Sequence, residues 1–197
     1  MQKVLLFNPR SARYKPRLPN SILSIAASLE GKFDYAIVDG NLEDDPWAKI
    51  EQYLASGDYG YFGSTCMPGP QLKQAIPVSQ KIRTHFPAIR IIWGGYFPSN
   101  HPYPVLHSGY VDFIVNGPGD KAFPALIKAL ENHLSYAQIP NLIYKKEGQL
   151  IKTQKDELYD QDSLPPLPYE NLNRFYPLKK YLGKTYLGTK TIAYHSS

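Results

Sequence analysis

Apolar residues in this chain come in short runs that alternate between two spacings. Lys3–Asn8, KVLLFN, is an almost unbroken apolar stretch of strand length and predicts a buried strand. Leu18, Ile22, Ile25 and Leu29 then recur at the spacing of one helical face, and Gly31 stops them. Tyr35–Gly40, YAIVDG, is a second strand-like run. Asp45-Pro46 opens the next helix, an N-capping acid followed by proline at the first helical position. Trp47, Ile50 and Leu54 form its apolar face, and Gly57 ends it. Tyr59–Ser64, YGYFGS, predicts a third strand. After Gly69-Pro70, the residues Leu72, Ala75, Ile76, Ser79 and Ile82 mark a helix, which Pro77 is expected to kink or restart. IRIIWGG, Ile89–Gly95, is the fourth strand and VDFIV, Val111–Val115, the fifth. Phe123, Leu126, Ile127, Leu130 and Leu134 mark the last helix of the series.

Such alternation with short connections predicts an α/β fold: a doubly wound, mostly parallel five-stranded sheet with helices on both faces. Right-handed crossovers leave few topologies, and the flavodoxin-like, or Rossmann-like, strand order 2-1-3-4-5 is expected over residues 1–138. The rhythm then changes. Pro140–Lys152 reads as a hairpin turning at Glu147-Gly148, a β-hairpin extension over 139–155. From Asp156 the chain is acidic and then proline-rich, DELYDQDSLPPLPYENL, as in a linker or extended wrap. Lys190–Ser197, KTIAYHSS, is strand-like again and has no partner in the first sheet's pattern. Residues 156–197 are therefore expected to form a linker and a first strand that lead into a further domain.

Composition narrows the function classes. The chain has 197 residues, 43% of them hydrophobic, enough for a real core. Lysine and arginine number 22 against 17 acidic residues, a net charge of +5. The densest cluster, Arg10, Arg13, Lys15 and Arg17, is small and lacks any nucleic-acid motif. It reads as solvated charge or as contacts to one anionic ligand. The single cysteine, Cys66, excludes a disulfide framework and a cysteine-based zinc site within the chain. No signal-like segment opens the chain, and no apolar run approaches the ~18 residues of a membrane helix. The expectation is a cytoplasmic protein without nucleic-acid or membrane partners.

In an open parallel sheet, ligands lie beyond the carboxyl ends of the strands. The loops expected there are Asn8-Pro9-Arg10, Asp39-Gly40-Asn41, Ser64-Thr65-Cys66, Gly94-Gly95-Tyr96 and Asn116-Gly117-Pro118-Gly119-Asp120. They are rich in glycine, small hydroxyls and amides, which suits close approach of a ligand to the backbone. The paired Gly94 and Gly95 are the sharpest signal. A nicotinamide site is disfavoured, because the first loop lacks glycine. A receiver domain is disfavoured too, because that loop carries Arg10 and Arg13 where paired acids belong. No histidine pattern of a zinc protease occurs. Cys66 lacks an evident base and reads as a buried structural residue.

These segments resemble the N-terminal cobalamin-binding domain of cobalamin-dependent radical SAM enzymes. PRLPNSILSIAASLE is similar to that family's proline-led first helix. The stretch from YGYFGSTCMPGP to WGGYFPSNHPYPVL resembles its third strand, small-residue loop, helix and Gly-Gly-aromatic-x-Pro loop. YVDFIVNGPGDKAFPALI resembles its VD-x-V-x-G-x-G-x-x-x-F segment, LPPLPYENL its linker, and TIAYHSS the strand before its iron–sulfur cysteines. The resemblance implies cobalamin on the carboxyl edge, its nucleotide tail buried between sheet and helices. Ser64 and Thr65 would contact the tail, Gly94, Gly95 and Tyr96 would line its path, and Gly117 and Gly119 would flank it. The family's better-known relatives carry D-x-H-x-x-G after the first strand; here Asn8-Pro9-Arg10-Ser11-Ala12-Arg13 has no histidine. The resemblance therefore implies base-off cobalamin without a histidine ligand, with Asn8 nearby and Arg10, Arg13 or Tyr14 beneath the ring. Gly117-Pro118-Gly119-Asp120 stands where Gly-Glu-Gly-Glu is more usual. A longer protein would add a C-terminal radical SAM barrel with a 4Fe-4S cluster and S-adenosylmethionine, and would be a methyltransferase or a tetrapyrrole cyclase. This piece lacks the cluster cysteines and is expected to be inactive alone. From the residues themselves, a module for a flavin, a nucleotide or another tetrapyrrole remains the alternative.

Overall fold

The structure, a computed structural model, describes residues 1–12, 16–156 and 161–192. Arg13 and Tyr14 lie outside the described residues, as does most of the terminal strand expected over Lys190–Ser197. Five βα steps build the body: β1 (Lys3–Asn8), α1 (Asn20–Leu29), β2 (Tyr35–Asp39), α2 (Pro46–Ala55), β3 (Tyr59–Thr65), α3 (Leu72–His85), β4 (Arg90–Gly94), two short helices α4 (Tyr96–Asn100) and α5 (Pro102–His107), β5 (Phe113–Val115) and α6 (Ala122–Glu131). The sheet order is β2-β1-β3-β4-β5, all parallel, as the alternation predicts. The hairpin β6 (Leu142–Lys146) and β7 (Gln149–Lys152) joins the same sheet antiparallel to β5, giving seven strands. It turns at Glu147 (φ 51°) and Gly148 (φ 82°), the two left-handed residues that a two-residue hairpin loop requires.

Alternating strand residues face two separate cores. Val4 and Leu6 pack with α1 and α6, whereas Leu5 and Phe7 pack with α2 and α3. Each fully buried large aliphatic stabilises the fold by roughly 1.5–3 kcal/mol of transfer free energy. Asp45 caps α2 as expected, its Oδ1 accepting from the N–H of Trp47 at 3.0 Å and of Ala48 at 3.4 Å.

The structure departs from the sequence pattern in three places. Pro77 neither ends nor restarts α3; it lies on an exposed face beside exposed Lys73, where water can satisfy the freed carbonyl. The Gly-Gly-aromatic stretch opens into α4 and α5, which are too short to show periodicity. The proline-rich region is firmly docked. There α7 (Tyr169–Phe175) and a 3-10 turn, Leu178–Tyr181, cover the α1 side of β2, burying Leu172, Tyr176 and Tyr181 to 3% exposure or less. A small separate hairpin, β8 (Gly183–Thr185) and β9 (Gly188–Thr191), follows. Among the described residues no helix is long and apolar enough to cross a membrane.

Candidate binding cleft

The carboxyl ends of β3, β4 and β5 open onto a cleft of about 360 Å³, roofed by α1 on one face of the sheet. Its floor is apolar: Leu6, Ile92 and Val115 from the strands, with Ile22, Ile25 and Phe123 from the helices. Its polar side chains include Ser21, Ser24, Thr65 and Asp120, and Ser64 at the end of β3 also lines it. Ser24 of α1 donates to Asp120, joining the roof to the loop before α6. The Ser64 hydroxyl lies 3.4 Å from the Thr65 carbonyl and 3.7 Å from Sγ of Cys66, a residue of the α2–α3 core, so it leans to the side of the sheet away from α1.

The two adjacent glycines have different reasons to be glycine. Gly95 has φ 93°, and a Cβ there would come within 3.0 Å of both the N and O of Cys66. Its backbone N-caps α4 and demands the missing side chain whether or not a ligand exists. Gly94 is under no such demand. A Cβ there would meet nothing nearer than the Val115 carbonyl at 4.0 Å, and Gly94 lines the cleft. The missing side chain at 94 is what leaves this part of the cleft open.

Of the residues expected at the site, Ser64, Thr65, Gly94, Gly95, Tyr96, Gly117 and Gly119 all line this one cleft. Tyr96 and Met67 stand exposed at its mouth. Asn8 and Arg10 do not line it. Arg10 donates from Nε to the Gly40 carbonyl (2.8 Å) and from Nη2 to the Glu43 carbonyl (2.6 Å), while its own N–H donates to Gln74 Oε1 (2.6 Å). Asn8 is buried and donates to Asp39 Oδ1 at 2.9 Å. That oxygen also accepts from the backbone and side-chain N–H groups of Asn41, and Oδ2 accepts from the Tyr181 hydroxyl at 2.8 Å. The Tyr176 hydroxyl accepts from the Asp39 N–H and donates to Glu43 Oε1. The carboxyl ends of β1 and β2 are thus filled by the chain's own groups, and the open part of the edge lies over β3, β4 and β5.

Sequence reasoning missed the α1 wall. Ser21, Ser24 and Ile25 sit at i, i+3 and i+4, one stripe that reads as the polar margin of an ordinary amphipathic helix. Cys66 is fully buried, and desolvation pushes its thiol up to about 12, so no thiolate forms near neutral pH. No histidine lines the cleft, and no group of acidic, histidine or cysteine side chains among the described residues could hold a metal ion.

The B12 binding domain family matches residues 17–127, more than half of the sequence, and the chain belongs to that family. The chain is also similar to the anaerobic magnesium-protoporphyrin IX monomethyl ester cyclase of Synechocystis sp., 34% identical over 171 residues. That match takes in 77% of this chain and 32% of the cyclase, so the chain spans about a third of that relative's length. Two solved structures share the fold. One is the cobalamin-dependent S-adenosylmethionine radical enzyme OxsB with aqua-cobalamin and S-adenosylmethionine bound (TM-score 0.76, 20% identity, 89% of this chain and 25% of that one). The other is the radical S-adenosylmethionine methyltransferase TsrM of Kitasatospora setae with cobalamin and a [4Fe-4S] cluster bound (TM-score 0.70, 22% identity, 85% and 31%).

Proposed function

We propose that this chain is the cobalamin-holding domain of a longer radical SAM enzyme, and that the cleft takes the cofactor's nucleotide tail. The observation that carries the reading is the open side of Gly94, facing a cleft with an apolar floor and hydroxyl-bearing walls. These residues fit the group. An aromatic base suits Leu6, Ile92 and Phe123, and its polar atoms need partners when buried, which Thr65 and the α1 serines Ser21 and Ser24 would supply, with the Ser64 backbone beside them. Gly94 and Gly95 would line the tail's path, with Gly117 and Gly119 flanking it. Met67 and Tyr96 at the mouth would rest against the corrin. The first loop, carrying Arg10, Arg13 and Tyr14, would lie beneath the ring, with Arg10 held by the Gly40 and Glu43 carbonyls. Seating the tail in the cleft would take its base off the cobalt, and the first loop, Asn8-Pro9-Arg10-Ser11-Ala12-Arg13, offers no histidine to replace it.

When bound, cobalamin supplies a cobalt-carried methyl group or a one-electron partner; the chain's part is to bind it, orient it and keep water from the buried tail. Residues 156–197 would lead into the radical SAM barrel, whose cluster and S-adenosylmethionine would complete a methyltransferase or a tetrapyrrole cyclase.

The test is to mix the purified chain with hydroxocobalamin and, separately, with flavin mononucleotide, then desalt and record spectra. Retained corrin is expected. After reduction to the cobalt(II) state, the electron paramagnetic spectrum should lack nitrogen splitting. Retained flavin without corrin would overturn the assignment, and nitrogen splitting would overturn the base-off part of it.

A further inference from the structure

The rim of the cleft over β5 is held from outside by a residue of the hairpin extension. Asn141, just before β6, is buried and left-handed (φ 63°), a conformation that asparagine tolerates better than most residues. All its polar groups are engaged. Its carbonyl accepts from the Asn116 N–H at 2.7 Å, and its own N–H donates to the Gln154 carbonyl at 2.9 Å. Its side-chain Oδ1 accepts from the Asp156 N–H at 3.0 Å, and Nδ2 points at the Pro118 carbonyl across a long 3.5 Å contact. The inner side of the same rim is fixed by α1: a Cβ on Gly119 would come within 2.7 Å of Ile25 Cδ1, so the loop already touches that helix. The Gly119 carbonyl in turn accepts from the Phe123 N–H at 2.8 Å, tying the rim to α6. Gly117–Gly119 is thus gripped between α1 and Asn141, and the gap it leaves on the cleft side is set by both.

We propose that Asn141 is a positioning residue for the cleft: through the Asn116 N–H and the Pro118 carbonyl it sets the place of the Gly117–Gly119 rim, and so the fit of the tail. The hairpin extension is then a brace for the cofactor site. This inference rests on reading the cleft as the seat of the tail, and it concerns the tail alone, because Asn141 lies behind the rim.

Two corrinoids separate the possibilities: hydroxocobalamin, which has the tail, and diaquacobinamide, which lacks it. Asn141→Asp keeps the acceptor for the Asp156 N–H, removes the donor to Pro118 and sets a charged carboxylate oxygen against that carbonyl. Asn141→Gly keeps the left-handed backbone and removes both side-chain bonds. Each variant is expected to bind hydroxocobalamin at least about fivefold more weakly than the wild type, the scale of one hydrogen bond or more. Diaquacobinamide affinity should stay unchanged, which also reports that the variant is folded. Should Asn141→Gly fail to fold, Asn141→Asp carries the test, with its diaquacobinamide affinity reporting that it is folded. Equal loss for both corrinoids, or no loss for either, overturns the positioning role. A wild-type chain that holds the two corrinoids equally well overturns the tail reading itself, and the role of Asn141 with it.

Discussion

At the scale of single residues, two neighbouring glycines that look alike in sequence answer to different physics. Gly95 is glycine because of the turn into α4, and Gly94 because of the space beside it. Gly95→Ala is therefore expected to destabilise the chain by roughly 1–3 kcal/mol, through a strained left-handed backbone and a clash with Cys66. Gly94→Ala should cost less than ~1 kcal/mol. Urea denaturation of the two variants checks this, and equal losses would contradict it. The pair stood out in the sequence as a close-approach signal. Which member met the chain's own backbone and which faced open space was not legible, because that depends on the φ angle at 95 and on where Cys66 lies. That Ser64 and Thr65 would lie along the cleft was legible for a simpler reason: they close the apolar strand β3 at its carboxyl end, the edge where such sheets meet ligands.

At the scale of elements, the strap formed by α7 and Leu178–Tyr181 was read as a linker or an extended wrap, and the structure docks it on the α1 face. Its proline-rich surroundings hid the signal. Leu172, Tyr176 and Tyr181 are spaced for no single period, because they belong to a helix and a separate turn. The two tyrosine hydroxyls reach the backbone and carboxylate of Asp39. Burial raises the Asp39 carboxyl above its ordinary value, against the opposing pull of four donors: the Asn41 N–H, the Tyr181 hydroxyl and the Nδ2 groups of Asn41 and Asn8. A raised folded-state value means that folding favours the protonated form. The stabilising share of Asp39 is then full below the unfolded value of about 3.9 and is lost as pH rises through the folded value. Compared with Asp39→Asn, the wild-type chain should lose stability as the pH rises above the unfolded value, measured by urea denaturation at each pH. A difference that does not vary with pH would refute this.

At the scale of the whole molecule, the alternation of strands and helices was enough to predict the order β2-β1-β3-β4-β5, because right-handed crossovers and burial on both faces leave few other arrangements. It did not show that the hairpin would continue the sheet beyond β5, since pairing between distant strands leaves no local mark. Nor did it show which part of the carboxyl edge would stay open. The ends of β1 and β2 are filled by Asn8, Arg10, Asp39 and the strap's tyrosines, which confines the open cleft to β3, β4 and β5. The account's central claim is that this opening seats a corrinoid's tail, and titration of hydroxocobalamin into the wild type and Gly94→Leu tests it most directly. An added Cβ at 94 meets nothing nearer than the Val115 carbonyl at 4.0 Å, so the leucine branch is expected to fill the cleft and to change the unfolding transition by no more than ~1 kcal/mol. Affinity is predicted to fall at least about tenfold; equal affinity in the two proteins would contradict the claim.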